Sequence, residues 1–184
     1  MKNIIIGLKM LLLMTIIAGL IYTGLITLIA QGLFPTQANG NPDLMGQKFD
    51  LSKYFWSRPS AGNYAALPSA ASNLSITSKI LQTQVAQRRA SLEAANTANG
   101  ITSTKEAEIP SDLLYSSGSG LDPDISVQAA LYQAGRVAKA RNIEINTVLQ
   151  CISEATQNRD WLIFGEERVN VLKLNRLLDQ ISSK

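Results

Sequence analysis

Apolar positions are spread unevenly along this chain. Residues 4–30 carry one charge, Lys9, and Met10 to Ala30 is an uncharged run of 21 residues. At 1.5 Å per residue, such a helix spans roughly 32 Å, the thickness of a bilayer's hydrocarbon core. The pattern predicts a transmembrane helix over residues 10–34, preceded by a cytoplasmic stretch, 1–9. The competing element is a cleaved signal peptide, whose apolar core runs about 7–15 residues and ends in small side chains. Here the run is longer, and Leu28-Ile29-Ala30 puts a bulky Leu where cleavage needs a small residue. A retained anchor is expected. Lys2 and Lys9 precede the run, and no Lys or Arg follows until Lys48. The positive-inside rule then keeps the N-terminus in the cytoplasm and exports the remainder. Thr15, Gly19, Thr23 and Thr27 recur every fourth residue within the run. Small and hydroxylated side chains let helix backbones approach closely, so these four are the candidate membrane-helix packing residues.

Beyond the anchor, Pro35, Asn39-Gly40 and Asn41-Pro42 mark a linker over 35–48, and a soluble domain is expected over 49–184. Tyr54, Phe55, Trp56 and Tyr64 are expected to pin an irregular loop. A helix is predicted from about Ile76 to Thr97, with Leu81, Val85 and Leu92 on one face and Arg88 interrupting it. Ile109 to Tyr115 reads as a short strand. Ser116 to Ser126 is a turn feeding a helix, with Ser126 as cap and Asp124 complementing the helix dipole. In that helix Val127, Ala130, Leu131, Ala134, Val137 and Ala138 follow helical spacing, and Arg136 and Lys139 project elsewhere. Lys139 and Arg141 suit its negative end. Asn146 is the expected cap of the next helix, where Val148, Ile152 and Ala155 align and Cys151 is a buried, inert thiol. Trp161 to Val171 suggests a hairpin around Gly165. Val171, Leu174, Leu178 and Ile181 mark a last amphipathic helix. The fold class is α+β: one N-terminal transmembrane helix, then a single mainly helical soluble domain with a short hairpin.

Charge and composition remove several functions. With Lys2 and Lys9 set aside, residues 31–184 hold 15 basic and 14 acidic side chains, a net of +1. A near-neutral domain gains little from releasing counterions on a polyphosphate, so no nucleic-acid partner is expected. There is no His and one Cys among the 184 residues, which removes Ser-His-Asp and Cys-His catalysis, His- or Cys-rich zinc sites and any intrachain disulfide. Gly118-Ser119-Gly120 precedes a helix but lacks the Lys of a Walker loop and the third Gly of a dinucleotide fingerprint; it reads as a turn. Asp122 and Asp124 are separated by Pro123 and lack a distal Glu, so turn and cap roles are expected instead of Ca²⁺ ligation. Glu166/Glu167 and Glu106/Glu108 are the carboxylate pairs available for acid–base chemistry, and without convergent partners they read as solvated. Arg58, among aromatic residues and before Pro59, suits an ion pair.

Several blocks in one order carry a resemblance over nearly the whole chain. They are Tyr54-Phe-Trp-Ser-Arg-Pro-Ser60, Ser72-Asn73-Leu74, Ser117-Gly-Ser-Gly-Leu-Asp-Pro123, Gln133 with Arg136-Val-Ala-Lys-Ala-Arg141, Gly165-Glu166 and Val169-Asn-Val-Leu-Lys-Leu-Asn175. With the N-terminal membrane helix, they resemble the C subunit of the bacterial high-affinity potassium-transporting P-type ATPase, the KdpC family. The chain departs from that pattern at Ala70-Ala71, where the family is Gly-rich, and at Asp124, where it often has His. The resemblance implies a non-catalytic accessory subunit of an ATP-driven potassium uptake complex in the inner membrane. Its implied partners are a channel-like potassium-translocating subunit, a catalytic P-type subunit and a small single-helix subunit. It implies a part in assembly and in full activity of the catalytic subunit. No cofactor of its own is expected, ATP being met through the catalytic subunit. The alternative it carries is a catalytic chaperone that raises ATP affinity through a ternary complex, with Gln133 as candidate nucleotide-binding residue.

Overall fold

The computed structural model describes residues 2–101, 108–161 and 163–182, and the chain divides into two compact units, Met1–Pro42 and Asp43–Lys184. In the first unit one continuous helix of 32 residues, Lys2–Leu33, has a mean hydropathy of 2.6 over its most apolar window. It is long and apolar enough to cross a bilayer, and none of its side chains is buried. It comprises α1 (Lys2–Met14), a π-helical stretch (Thr15–Tyr22) and α2 (Thr23–Leu33). The region expected to be an irregular linker opens on a helical turn instead, α3 (Pro35–Ala38), with Pro35 at its start. Proline's fixed φ and missing N–H suit a first helical position.

The second unit is built around α4 (Lys79–Ala98), α6 (Val127–Arg141), α7 (Ile145–Ala155) and α8 (Val171–Ser182), with a short α5 (Ser111–Leu114). Three short strands, β1 (Asp124–Ser126), β2 (Thr156–Gln157) and β3 (Arg168–Asn170), form an antiparallel sheet in the order β1-β3-β2. Ile125 lies opposite Val169, and both are buried. With Leu174, Leu178, Val137, Val148 and Phe55 they form the centre of one apolar core. The architecture is α+β, mainly helical.

Two strands run straight into helices, and each strand's last residue caps the helix that follows. Ser126 Oγ accepts from Ala129 N at 3.0 Å, and Asn170 Oδ1 accepts from Lys173 N at 3.0 Å. The side-chain oxygen satisfies an N–H that the helix leaves open at its start. Asn142, in the left-handed region at φ 54°, ends α6 with its N–H turned back to Ala138 and Lys139.

Several expectations are corrected here. Ile109 to Tyr115 is not a strand: Pro110 opens a helical turn at Ser111, and Leu113 and Leu114 drop into the core. Asp124 lies in β1 and pairs with Arg168. Glu144, not Asn146, precedes α7; Asn146 sits exposed inside it. The paired strands of the hairpin are Thr156–Gln157 and Arg168–Asn170, and Trp161, Ile163 and Phe164 are exposed in the turn between them. On α6, Leu131 is exposed, and Arg136, expected to project outward, is wholly buried.

Candidate functional site

On the apolar N-terminal helix, the hydroxyls of Thr15, Thr23 and Thr27 donate to the carbonyls of Leu11, Gly19 and Thr23, each four residues back. Their polar groups are therefore satisfied inside the helix and leave a small, methyl-covered surface. A Cβ placed on Gly19 would meet only Thr15 Cγ2, at 3.9 Å. In an all-α helix, a four-residue spacing rotates by about 40° per step.

In the soluble unit, the residues from 43 to 57 form no helix or strand beyond the turn Pro42–Leu44. Backbone in such a segment must find partners elsewhere. Here distant side chains supply them. Gln133 Oε1 accepts from Trp56 N at 2.8 Å, and Gln133 Nε2 donates to Trp56 O at 3.3 Å. Asn175 does the same one residue earlier, accepting from Phe55 N at 2.8 Å and donating to Phe55 O at 3.0 Å. Each amide thus takes the place of a strand neighbour. Arg136 Nη1 donates to Ser52 O at 2.6 Å and Tyr54 O at 3.1 Å, while its Nη2 donates to Gln133 Oε1 at 2.7 Å. Its guanidinium stacks 4.4 Å from the centre of the Trp56 ring. Arg141 Nε donates to Lys53 O at 2.6 Å, and Asn170 Nδ2 to Asp43 O at 2.6 Å. Side chains of α6, α8 and β3 therefore clasp the segment along its length.

Arg136 is 0% exposed and, among the described residues, faces backbone carbonyls and an amide, with no carboxylate in ion-pair reach. Burial pushes its pKa down to about 10, with Tyr132 opposing the shift. It remains a cation at neutral pH. Phe49, Trp56 and Tyr64 border a cavity of about 450 Å³ against α4, where Arg88 Nη1 donates to Leu114 O at 2.7 Å. Burial first, then Asp50, raises the Tyr64 phenol to about 12; its hydroxyl donates to Arg58 O at 2.8 Å.

A separate cleft of about 730 Å³ is lined by Arg58, Asp112, Asp122, Asp124, Glu166, Glu167 and Arg168, among others. Its aspartates are held in place: Asp122 by Arg58 at 2.8 Å, Asp124 by Arg168 at 3.4 Å, and Asp112 by the Ser126 N–H at 2.7 Å. Asp122 also accepts from Asp124 N at 3.1 Å. The turn and ion-pair roles expected of Asp122 and Arg58 hold. Burial, with Asp122 adding to it, raises the Asp124 pKa. Among the described residues, no three His, Cys, Asp or Glu groups gather as a metal site. Glu166 and Glu167 are exposed on the hairpin turn; Glu106 lies outside the described residues. Cys151 is buried, and that burial raises its thiol pKa, which keeps it protonated and unreactive.

Gln133 is 0% exposed, and its amide is spent on Trp56, Arg136 and Ala129. A nucleotide could reach it only if the Trp56 segment left the clasp. Sequence reasoning missed the part played by Arg136 and Asn175. The signal available was the i, i+3 spacing of Gln133 and Arg136, which places both on one helix face.

The model of the family described as KdpC, the c chain of a K⁺-transporting ATPase, matches residues 4–180. The chain belongs to the KdpC family. A Polynucleobacter asymbioticus protein named as the KdpC subunit of a potassium-transporting ATPase is 44% identical over 180 residues, covering 91% of this chain and 92% of its own. Proteins of the same name from Serratia proteamaculans, 43% identical over 188 residues (95% and 96% covered), and Herpetosiphon aurantiacus, 41% over 190 (96% and 95%), are similar over the same extent. As a KdpC subunit, the chain is an accessory subunit of a potassium-transporting ATPase and is not its catalytic subunit. The match takes in the apolar N-terminal helix, the clasped segment and the helices that hold it.

Proposed function

We propose that this KdpC subunit holds a potassium-uptake ATPase together and supports full activity of its catalytic subunit, with its soluble unit outside the cytoplasm. The observation that carries this reading is the clasp. The chain leaving the membrane linker enters, from Asp43 onward, a segment locked to α6 and α8 through Gln133, Arg136, Arg141 and Asn175. Such a segment ties the start of the soluble unit to its own helices. In this reading the face of Thr15, Gly19, Thr23 and Thr27 packs on a helix of a partner subunit. The positively charged residues before the helix hold the N-terminus in the cytoplasm. The partners are the channel-like subunit, the catalytic subunit and the small single-helix subunit of the complex.

Direct support of ATP binding is the second reading for the family, and the closed state of Gln133 favours the assembly reading over it. Gly19→Ile tests the assembly reading in the full chain, co-expressed with the other subunits. A side chain at Gly19 meets little in its own helix, so the helix forms and the change acts on the partner. Recovery of the complex through this chain is expected to fall by roughly tenfold, as close backbone packing is lost. Recovery equal to the unchanged chain would contradict the packing face. Affinity of the whole complex for ATP, measured with Gln133→Glu, separates the two readings: direct contact requires an ATP-specific loss in a complex that still assembles.

A further inference from the structure

The turn between β2 and β3 carries side chains for which the fold has no use. Trp161 is 87% exposed, Ile163 73% and Phe164 65%. Turns are ordinarily built from Gly, Asn, Asp or Ser, and three large apolar groups here leave a patch of the kind that marks an interaction surface. The turn is nevertheless held in shape. Asp160 N donates to Phe164 O and Phe164 N to Asp160 O, both at 2.9 Å, and Arg168 reaches Asp160 at 3.6 Å. Trp161 sits at φ 56° and Gly165 at φ 77°. A left-handed conformation is costly for a bulky residue and persists where surrounding contacts impose it. Flanking the patch in sequence are Asp160, Glu166 and Glu167 against Arg159 and Arg168, a net of −1; Arg168 pairs with Asp160 and Asp124, which leaves Glu166 and Glu167 as the exposed acids beside Arg159. The collar is acidic.

We propose that Trp161, Ile163 and Phe164 form a preformed anchor that inserts into an apolar pocket with a cationic rim on another subunit of the ATPase. This rests on the accessory-subunit reading and adds to it the surface that docks. Charge selects the occupant. Anionic lipid headgroups attract basic segments and repel an acidic collar, and a second copy would set two acidic collars against each other. A cation-rimmed pocket on a partner complements both the apolar centre and the acidic edge. Binding hot spots are enriched in Trp near the centre of a patch, and a turn already held by its Asp160–Phe164 pair lowers the ordering cost.

The test uses the full chain with Cys151→Ser and a single new thiol, Ile163→Cys, with Ala86→Cys on the exposed face of α4 as reference. Reaction with a maleimide polymer is read as the shift of this chain's own band. It is measured for the subunit alone in detergent, alone in lipid nanodiscs, and in the assembled complex. The thiol at 163 is expected to react equally fast in detergent and nanodiscs, and about tenfold more slowly in the complex, while that at 86 keeps its rate. Protection of 163 in nanodiscs alone, or protection that grows with subunit concentration, assigns the patch to lipid or a second copy and overturns the proposal. Full reactivity in an assembled complex overturns it too, leaving the accessory reading intact. Failure of the Ala86→Cys chain, whose patch is unchanged, to join the complex overturns both. Trp161→Ala, in the otherwise unchanged chain, is expected to speed loss of the subunit from the complex roughly tenfold, and Glu166→Lys with Glu167→Lys to do so in a salt-dependent way; unchanged loss in both contradicts the anchor.

Discussion

Three side chains, Gln133, Arg136 and Asn175, do for the segment before Ser57 what a neighbouring strand would do elsewhere. Removing one leaves donors and acceptors buried without partners, which costs more than the bond itself was worth. Gln133→Ala strips partners from Trp56 N–H, Trp56 C=O and Arg136 at once. It is expected to lower stability by about 3 kcal/mol, read as a shift in urea midpoint with unchanged slope. Arg136→Lys keeps the charge but cannot stack flat on Trp56 while reaching Ser52, Tyr54 and Gln133 together; a loss of about 2 kcal/mol is expected from the same measurement. Tyr64 gives a pH test. Its folded pKa, about 12, lies above the ordinary value of 10.0. The neutral phenol therefore contributes stability that is fully present below pH 10 and is lost as pH rises through about 12. Subtracting the alkaline absorbance titration of Tyr64→Phe from that of the unchanged chain should isolate one phenol ionising near pH 12. A difference titrating near pH 10 would contradict the burial.

At the level of elements, the boundaries that could be read from sequence are those written in local chemistry. Ser126 caps α6, Gly100 follows α4, and Val148, Ile152 and Ala155 line the buried side of α7, as their types and spacing require. What could not be read depends on groups far away in the chain. Ile109 to Tyr115 has the composition of a strand, yet Pro110 starts a helical turn and Leu113 and Leu114 are drawn into the core. Arg136 looks solvent-directed by its charge, and only the carbonyls of Ser52 and Tyr54, more than eighty positions earlier, explain its burial. The clasped segment itself has no periodicity to read, because its partners are side chains and not a ladder. Gly46 shows how tightly that segment lies: its N–H donates to Leu121 O at 2.7 Å, and an added Cβ would stand 2.5 Å from Asp122 O. Gly46→Ala must push the segment off the loop before β1, and a loss of about 2 kcal/mol is expected in thermal unfolding. A change below a few tenths would show that the two strands of chain are not apposed.

At the scale of the whole molecule, the chain holds a long apolar helix and a separate unit whose first segment is clasped by its own helices. Loosening the clasp with Gln133→Ala should leave the membrane helix able to associate yet lower potassium-stimulated ATP hydrolysis by the complex, and this division between assembly and activity is measurable on one preparation. The legible part at this scale was the long apolar N-terminal helix; the acidic cleft and the apolar hairpin turn arise only once β1, β2 and β3 pair. The most direct test of the account is the side of the membrane on which the soluble unit lies. With Cys151→Ser and Ala86→Cys in the full chain, intact cells are treated with a membrane-impermeant thiol reagent before and after lysis. Labelling before lysis is the predicted result and places the unit away from cytoplasmic ATP. Labelling only after lysis would contradict the orientation and make direct support of nucleotide binding the leading account.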